Sequence, residues 1–362
     1  MTFATSPEEI SLSWLAAVFE KHGGSGAALL GFDARRIGTG LIGDSYRLHL
    51  DWAGDTSFGA PATVVVKMAA ADPTSRATGM ALRNYEREVR FYQDLAPTLP
   101  IRVATCWEAE WDPVDGLFVL LLEDLSPAVV GDQLAGCSTA KADAVIEMAA
   151  RMHATHWGAA SLDPFADWLS LPADRERALQ LGALWSMAWP QFLERHGARL
   201  TGAERATADS FGASIVPWVL DRTGPNTLVH GDFRIDNMLF GGTDAQPWVV
   251  PVDWQTPGIG PGVGDVAYFL GASLLDADRR EHEERLVRRW FDQLVDHGVG
   301  DYDWTDCWTQ YRKFCFGGVV MGVVASMLTP QTERGDEMFL AMATRHLRQA
   351  ADHESLSLLS TP

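Results

Sequence analysis

Val229-His230-Gly231-Asp232-Phe233-Arg234-Ile235-Asp236-Asn237-Met238-Leu239-Phe240 sets an aspartate and an asparagine five positions apart in a polar turn between apolar runs. Phosphoryl transfer uses such a pair: the carboxylate orients a hydroxyl and takes its proton, and the amide oxygen holds a metal ion that shields phosphate charge. Sixteen residues later, Val252-Asp253-Trp254 brings a second carboxylate to the end of a strand-like run, where a phosphate-bound ion needs an anionic oxygen. Asp232 therefore reads as the base, Asn237 and Asp253 as Mg²⁺ ligands, and Arg234 as a contact for the γ-phosphate. His230 reads as a scaffold hydrogen-bonder, because a histidine base would leave Asp232 redundant. Asp265 opens a helix, where N-capping and a hold on the Asp232 loop are both compatible.

Upstream of this loop the pattern is strand-rich. Gly38-x-Gly40-x-x-Gly43 lies between two strand-like stretches. Without Cβ atoms, these glycines let backbone amides approach phosphate oxygens. A dinucleotide site would need a helix after the glycines, and a strand follows instead. Lys67 ends the apolar strand 63–68 and suits the α/β-phosphates. Its partner on a helix over residues 82–95 is Glu88, with Glu86 the alternative; the two point to different faces, so only one can reach it. Strands fit residues 101–107 and 117–122. The run Leu120-Leu121-Leu122-Glu123-Asp124-Leu125 then ends the pattern, and backbone groups from Glu123 to Leu125 suit an adenine edge. Ser6-Pro7-Glu8-Glu9 reads as the start of a helix reaching about residue 22, with Ser6 as its cap.

After residue 125 helical periodicity dominates: 141–157, 175–195, 203–220, a helix from Asp265, then 279–297 and 305–353, with a strand at 247–252. The fold class is α+β in two lobes, a small antiparallel-sheet lobe over 1–125 and a large helical lobe over 126–362, with a ligand cleft expected between them. His153 and His156 sit three apart on one helix, with no third ligand evident for zinc. Most of the fourteen tryptophans read as core, with one or two left to wall an acceptor pocket.

Bulk numbers narrow the classes. The chain has 362 residues, 47% hydrophobic and 21% charged, with a net charge of −19. That composition is globular and disfavours nucleic-acid or anionic-membrane partners. Cys106, Cys137, Cys307 and Cys315 form no metal-type spacing and fit free thiols in a reducing compartment. No basic-then-apolar leader is present, and the uncharged run 314–331 reads as a buried helix short of a membrane span. A cytoplasmic setting follows as an expectation; the oligomeric state is open.

The order glycine loop, strand Lys67, helix Glu88, Glu123-Asp124, His230-Gly231-Asp232 with Asn237, then Val252-Asp253-Trp254 resembles the aminoglycoside phosphotransferase/choline kinase superfamily. Glu88-Val89-Arg90-Phe91-Tyr92, Met152-His153-Ala154-Thr155-His156-Trp157, and Gly264-Asp265-Val266-Ala267-Tyr268 look most like its bacterial ecdysteroid-kinase-like members. The resemblance covers residues 30–275 and implies a protein-kinase-like fold, ATP and Mg²⁺ as cofactors, and phosphorylation of a hydroxyl on a small organic acceptor. Gly231 stands where protein kinases carry a regulatory arginine, Trp254 replaces their phenylalanine, and no Ala-Pro-Glu signature follows, which disfavours protein substrates. A hydrophobic or mixed hydroxylated metabolite is the first reading of the acceptor. An aminoglycoside or macrolide antibiotic is the alternative, and a non-catalytic nucleotide-binding pseudokinase the second.

Overall fold

The computed structural model describes residues 4–24, 27–38, 42–54, 56, 59–222, 224–329 and 331–359. Two compact units are present: the chain up to Pro127 together with Val252–Thr256, and Ala128–Pro251 together with Pro257 onward. The segment carrying Asp253 thus packs with the first unit, although it follows the helical stretch in sequence.

The first unit is built on a five-stranded antiparallel sheet in the order β1-β2-β3-β5-β4. Its strands are β1 (Ala27–Ile37), β2 (Gly43–Gly54), β3 (Thr63–Ala69), β4 (Cys106–Asp112) and β5 (Leu117–Glu123). Strand alternation decides what each face does. Val64, Val66 and Met68 of β3, with Val119 and Leu121 of β5, pack under Leu15, Val18 and Phe19 of the helix Leu12–Lys21. Lys67 therefore points to the opposite face, where the helix Asn84–Arg90 lies. There Tyr85 stacks on Phe118 with ring centroids 4.5 Å apart.

Several boundaries differ from the sequence expectation. Ser6 makes no side-chain cap; Pro7–Glu9 is a separate 3-10 turn. The true cap of the first α-helix is Ser11, which accepts from Trp14 N at 3.1 Å. A helix at Pro73–Ala81 precedes the expected one, capped by Asp72. Arg83, with φ of 57°, breaks the chain before Asn84–Arg90 begins. Strand β4 starts at Cys106 rather than 101.

The second unit is mostly helical: Thr139–Thr155, Arg175–His196, Gly202–Leu220, Val263–Ser273, Asp276–Asp296, Trp304–Phe314 and Glu333–Asp352. Its aromatic core joins Trp185, Trp189, Phe192, Phe211 and Trp218 to Phe316, Val319, Leu340 and Leu347. Trp168, Trp185, Trp189 and Trp218 are buried, and Trp157 is half-buried with its indole N–H on Asp301 at 3.1 Å. Helical structure continues from Trp304 to Leu328, long and apolar enough by composition to cross a membrane, and its most apolar 18-residue window is 61% buried inside the protein. Small strands hold the segment carrying Asp232 and Asn237. β6 (Val129–Val130), β8 (Met238–Thr243) and β9 (Gln246–Pro251) form one sheet; β7 (Asn226–Val229) and β10 (Gly258–Pro261) pair separately. Residues 230–237 are thus slung from the end of β7 to the start of β8.

Candidate active site

In the first unit, Lys67, Glu88 and Asp253 come together. Lys67 Nζ donates to Glu88 Oε1 and to Asp253 Oδ1, each at 2.7 Å. Burial alone would lower the ammonium pKa, but the two carboxylates, Asp253 foremost, carry it above the ordinary lysine value. Lys67 is therefore a fixed cation. Glu86 turns away and pairs with Arg83 at 2.7 Å, so helix phase selects Glu88. Val252–Thr256 is pinned around this triad. Gln255 Nε2 donates to Glu88 Oε2 at 3.2 Å, Asn84 Nδ2 donates to the Gln255 carbonyl at 3.1 Å, and Trp254 stacks on Phe91 at 3.8 Å and 8°. Asp253 itself has φ of 65°, a left-handed conformation that aspartate tolerates better than bulkier residues.

Of the glycines, Gly38 has φ of +72° with open space at its Cβ position, so conformation explains the residue. At Gly43 an added Cβ would stand 3.1 Å from the Met68 carbonyl and 3.5 Å from Lys67 Cε, so close approach explains it. Gly40 lies outside the described residues. Sequence reasoning missed Tyr85, whose hydroxyl donates to the Ile42 carbonyl at 2.6 Å and accepts from Ala70 N at 3.4 Å. It ties the end of the glycine loop to the Glu88 helix, and its spacing of three from Glu88 was the available signal. Near the end of β5, the Glu123 carboxylate is occupied by Arg102 at 2.7 Å and Thr105 N at 3.1 Å. Any ligand contact there falls to the backbone, including that of buried Leu125.

In the second unit, the loop Asp232–Asn237 closes on itself. Asn237 Nδ2 donates to the Asp232 carbonyl at 2.9 Å and to Asp232 Oδ2 at 2.8 Å. That fixes the amide with Oδ1 as the atom that could hold a metal ion. Arg234 Nε donates to both Asp232 oxygens, at 3.2 and 3.1 Å, and its Nη1 donates to Asp236 Oδ2 at 2.9 Å. Burial would raise the Asp232 pKa, but the Arg234 charge and these hydrogen bonds hold it below the ordinary value. Asp232 is thus an ionised, oriented carboxylate. Gly231, with φ of +82°, meets a backbone turn that an arginine there would strain.

Asp265 does not cap its helix, since Gly262 holds the cap position. Its carboxylate instead accepts from His230 N at 2.8 Å and Gly231 N at 3.3 Å, holding the loop backbone. His230 Nδ1 accepts from Asp232 N at 3.3 Å, a scaffold bond. His153 lies 3.4 Å from Asp265 and accepts from Trp290 Nε1 at 3.0 Å, whereas His156 Nδ1 meets Ser161 Oγ at 2.9 Å. The two histidines face different partners, and among the described residues no group of three or more His, Cys, Asp or Glu could hold a metal. A second residue missed in sequence is Tyr268, whose hydroxyl donates to Asp232 Oδ1 at 3.0 Å. It sits one helical turn beyond Asp265.

The family model described as "Phosphotransferase enzyme family" matches residues 34–308. The chain belongs to this family. The match encloses every candidate residue from Gly38 to Asp265. Solved structures agree on a protein-kinase-like α+β fold. A Ralstonia eutropha protein assigned as an aminoglycoside phosphotransferase has a TM-score of 0.54 at 17% identity, covering 94% of this chain and 98% of that one. The GDP complex of wild-type aminoglycoside 2'-phosphotransferase-IIIa gives 0.54 at 12% identity over 93% and 98%. The gentamicin complex of APH(2'')-IIa gives 0.51 at 16% over 92% and 96%. At these identities the likeness concerns the fold. Among curated proteins, acyl-CoA dehydrogenase family member 10 of Mus musculus is 31% identical over 131 residues, 32% of this chain. The chain spans only 12% of that protein's length.

Proposed function

We propose that this phosphotransferase moves the γ-phosphoryl group of Mg·ATP to a hydroxyl of a small, hydrophobic or mixed hydroxylated metabolite. Asp232 is the base, Lys67 the phosphate cation held by Glu88, and Asn237 and Asp253 the metal ligands. Both ligands offer hard oxygens, the Asn237 Oδ1 and a half-exposed Asp253 carboxylate, and Mg²⁺ takes one or two such protein oxygens and completes its shell with phosphates and water. When bound, the ion would neutralise charge on the β/γ-phosphates. Lys67 orients the phosphates, and the backbone after β5 receives the base. Asp232 suits a loose transition state: held ionised, it orients the acceptor hydroxyl more than it pulls the proton, and takes the proton late.

The observation that carries the acceptor reading is the set of groups around Asp232. Arg234, half-buried, lies against the carboxylate, and the buried thioethers of Met338 and Met342 stand behind Arg234 and Tyr268 at 3.3 and 3.4 Å. The Arg234 charge is already paired with Asp232 and Asp236, so the preference for an acceptor with apolar surface rests on the buried thioethers and not on repulsion of a polycation. The name of the mouse relative adds acyl-CoA-type hydroxyl compounds to that range, and a place near the ecdysteroid-kinase-like group would add steroid-type alcohols. The four free cysteines support a cytoplasmic setting for this activity.

Nucleotide consumption across a panel of steroid, terpenoid, macrolide, aminoglycoside and hydroxyacyl-CoA alcohols, with ATP and GTP in parallel, tests the proposal. Asp232→Asn is expected to abolish turnover while Mg·ATP still binds; a variant with wild-type turnover rules out Asp232 as the base. Turnover with aminoglycosides alone would reverse the acceptor reading.

A further inference from the structure

Asp232 receives one hydrogen bond that the scheme above does not use. Tyr268 Oη donates to Asp232 Oδ1 at 3.0 Å, while Asn237 Nδ2 donates to Oδ2 at 2.8 Å. Arg234 Nε lies almost equally from both oxygens, at 3.2 and 3.1 Å, so it attracts the carboxylate without choosing its rotation. Rotation is set by the unlike donors, Tyr268 on one oxygen and Asn237 on the other.

Tyr268 is held as a support should be. Its ring is buried and stacks on His346 at 5.6 Å and 23°. Its hydroxyl also touches Met342 Sδ at 3.4 Å. His346 is fixed in turn, with Nδ1 2.9 Å from the Cys315 carbonyl. Glycines close on it from two sides: an added Cβ at Gly271 or Gly318 would stand 2.3 or 1.9 Å from its ring. One helix, Val263–Ser273, thus grips the loop backbone through Asp265 and the base through Tyr268, three positions apart on one face.

We propose that Tyr268 is a positioning residue for phosphoryl transfer, fixing the rotation of the Asp232 carboxylate so that one oxygen meets the acceptor hydroxyl. The inference rests on Asp232 being the base. Tyr268→Phe keeps the ring, its stacking and the fold, and removes only the hydroxyl. Kinetics with an acceptor identified by the panel, and the slow hydrolysis of Mg·ATP in which water replaces the acceptor, give the readout. The expected result is a fall in kcat of about 10- to 100-fold, the size of a lost hydrogen bond to a charged group. KM for ATP should stay within about two-fold and the melting temperature should be unchanged. Unchanged kcat in Tyr268→Phe beside an inactive Asp232→Asn overturns this inference and leaves the base in place. An active Asp232→Asn overturns both. Joint loss of kcat, ATP affinity and thermal stability would show a merely structural tyrosine and also overturns it.

Discussion

Lys67 sits between two carboxylates with different duties. Glu88 is 1% exposed and its oxygens go to Lys67 and Gln255, whereas the Asp253 side chain is 37% exposed and could give an oxygen to a metal. Removing the first charge should therefore disturb the second. In Glu88→Gln, Asp253 is the one anionic partner left to Lys67 among the described residues, and the ammonium should compete with Mg²⁺ for that carboxylate. Breaking a buried ion pair costs about 3–5 kcal/mol when the remaining charge is orphaned; here Asp253 stays, so the cost should be smaller. The expected outcome is a rise in KM for Mg·ATP of about 10-fold with a modest drop in melting temperature. An unchanged KM would show that Glu88 only packs. The sequence singled out Lys67, Asp232, Asn237 and Asp253 because few other residue types could do the chemistry proposed for them. It left Glu86 and Glu88 open because helix phase follows from where the helix starts, and that start is set by the left-handed Arg83.

Element boundaries were read less well than element types, for local reasons. Ser6 has the cap sequence but lacks the cap bond, which Ser11 makes instead; two serines compete, and packing of Leu15, Val18 and Phe19 on the sheet decides. The helix Pro73–Ala81 carried a readable start, Asp72 followed by Pro73, and Asp72 does accept from Ser75 N at 2.7 Å. Tyr85 and Tyr268 were invisible as site residues because an apolar ring in a helix reads as core, and only coordinates show where a hydroxyl lands. The same holds for the glycines facing His346. Gly318 lies in a helical stretch, where alanine would ordinarily gain about 1 kcal/mol. A Cβ there meets His346 Cδ2 at 1.9 Å, and overpacking costs about 1–3 kcal/mol. The clash should win, so Gly318→Ala is expected to lower the melting temperature, and to lower kcat by shifting the ring on which Tyr268 stacks. A more stable variant would mean that the helix moves to make room.

At the scale of the whole molecule, acid should act through His346 before it acts through the acidic surface. The chain carries a net charge of −19, and carboxylates of ordinary pKa near about 4 change little above pH ~5.5. Burial lowers the His346 pKa from 6.5 to about 4, with the bond to the Cys315 carbonyl opposing it. Between those two values the unfolded chain binds a proton that the folded chain refuses. Stability therefore rises with pH across this interval, is complete above pH 6.5, and is lost as pH falls toward 4. The gap of 6.5 − 4 corresponds to roughly 3 kcal/mol in all, and about 1.4 kcal/mol of it should already be gone at pH ~5.5. Thermal denaturation at fixed ionic strength between pH ~7.5 and ~5.5 should show a drop of a few degrees. His346→Gln, which cannot titrate, should flatten that slope. An equally steep slope in the variant would assign the acid sensitivity elsewhere. The proton that weakens the fold is bound by the unfolded chain, so at pH ~5.5 the folded molecule keeps a neutral His346 beneath Tyr268, and phosphoryl transfer should fall there with the unfolded fraction rather than ahead of it.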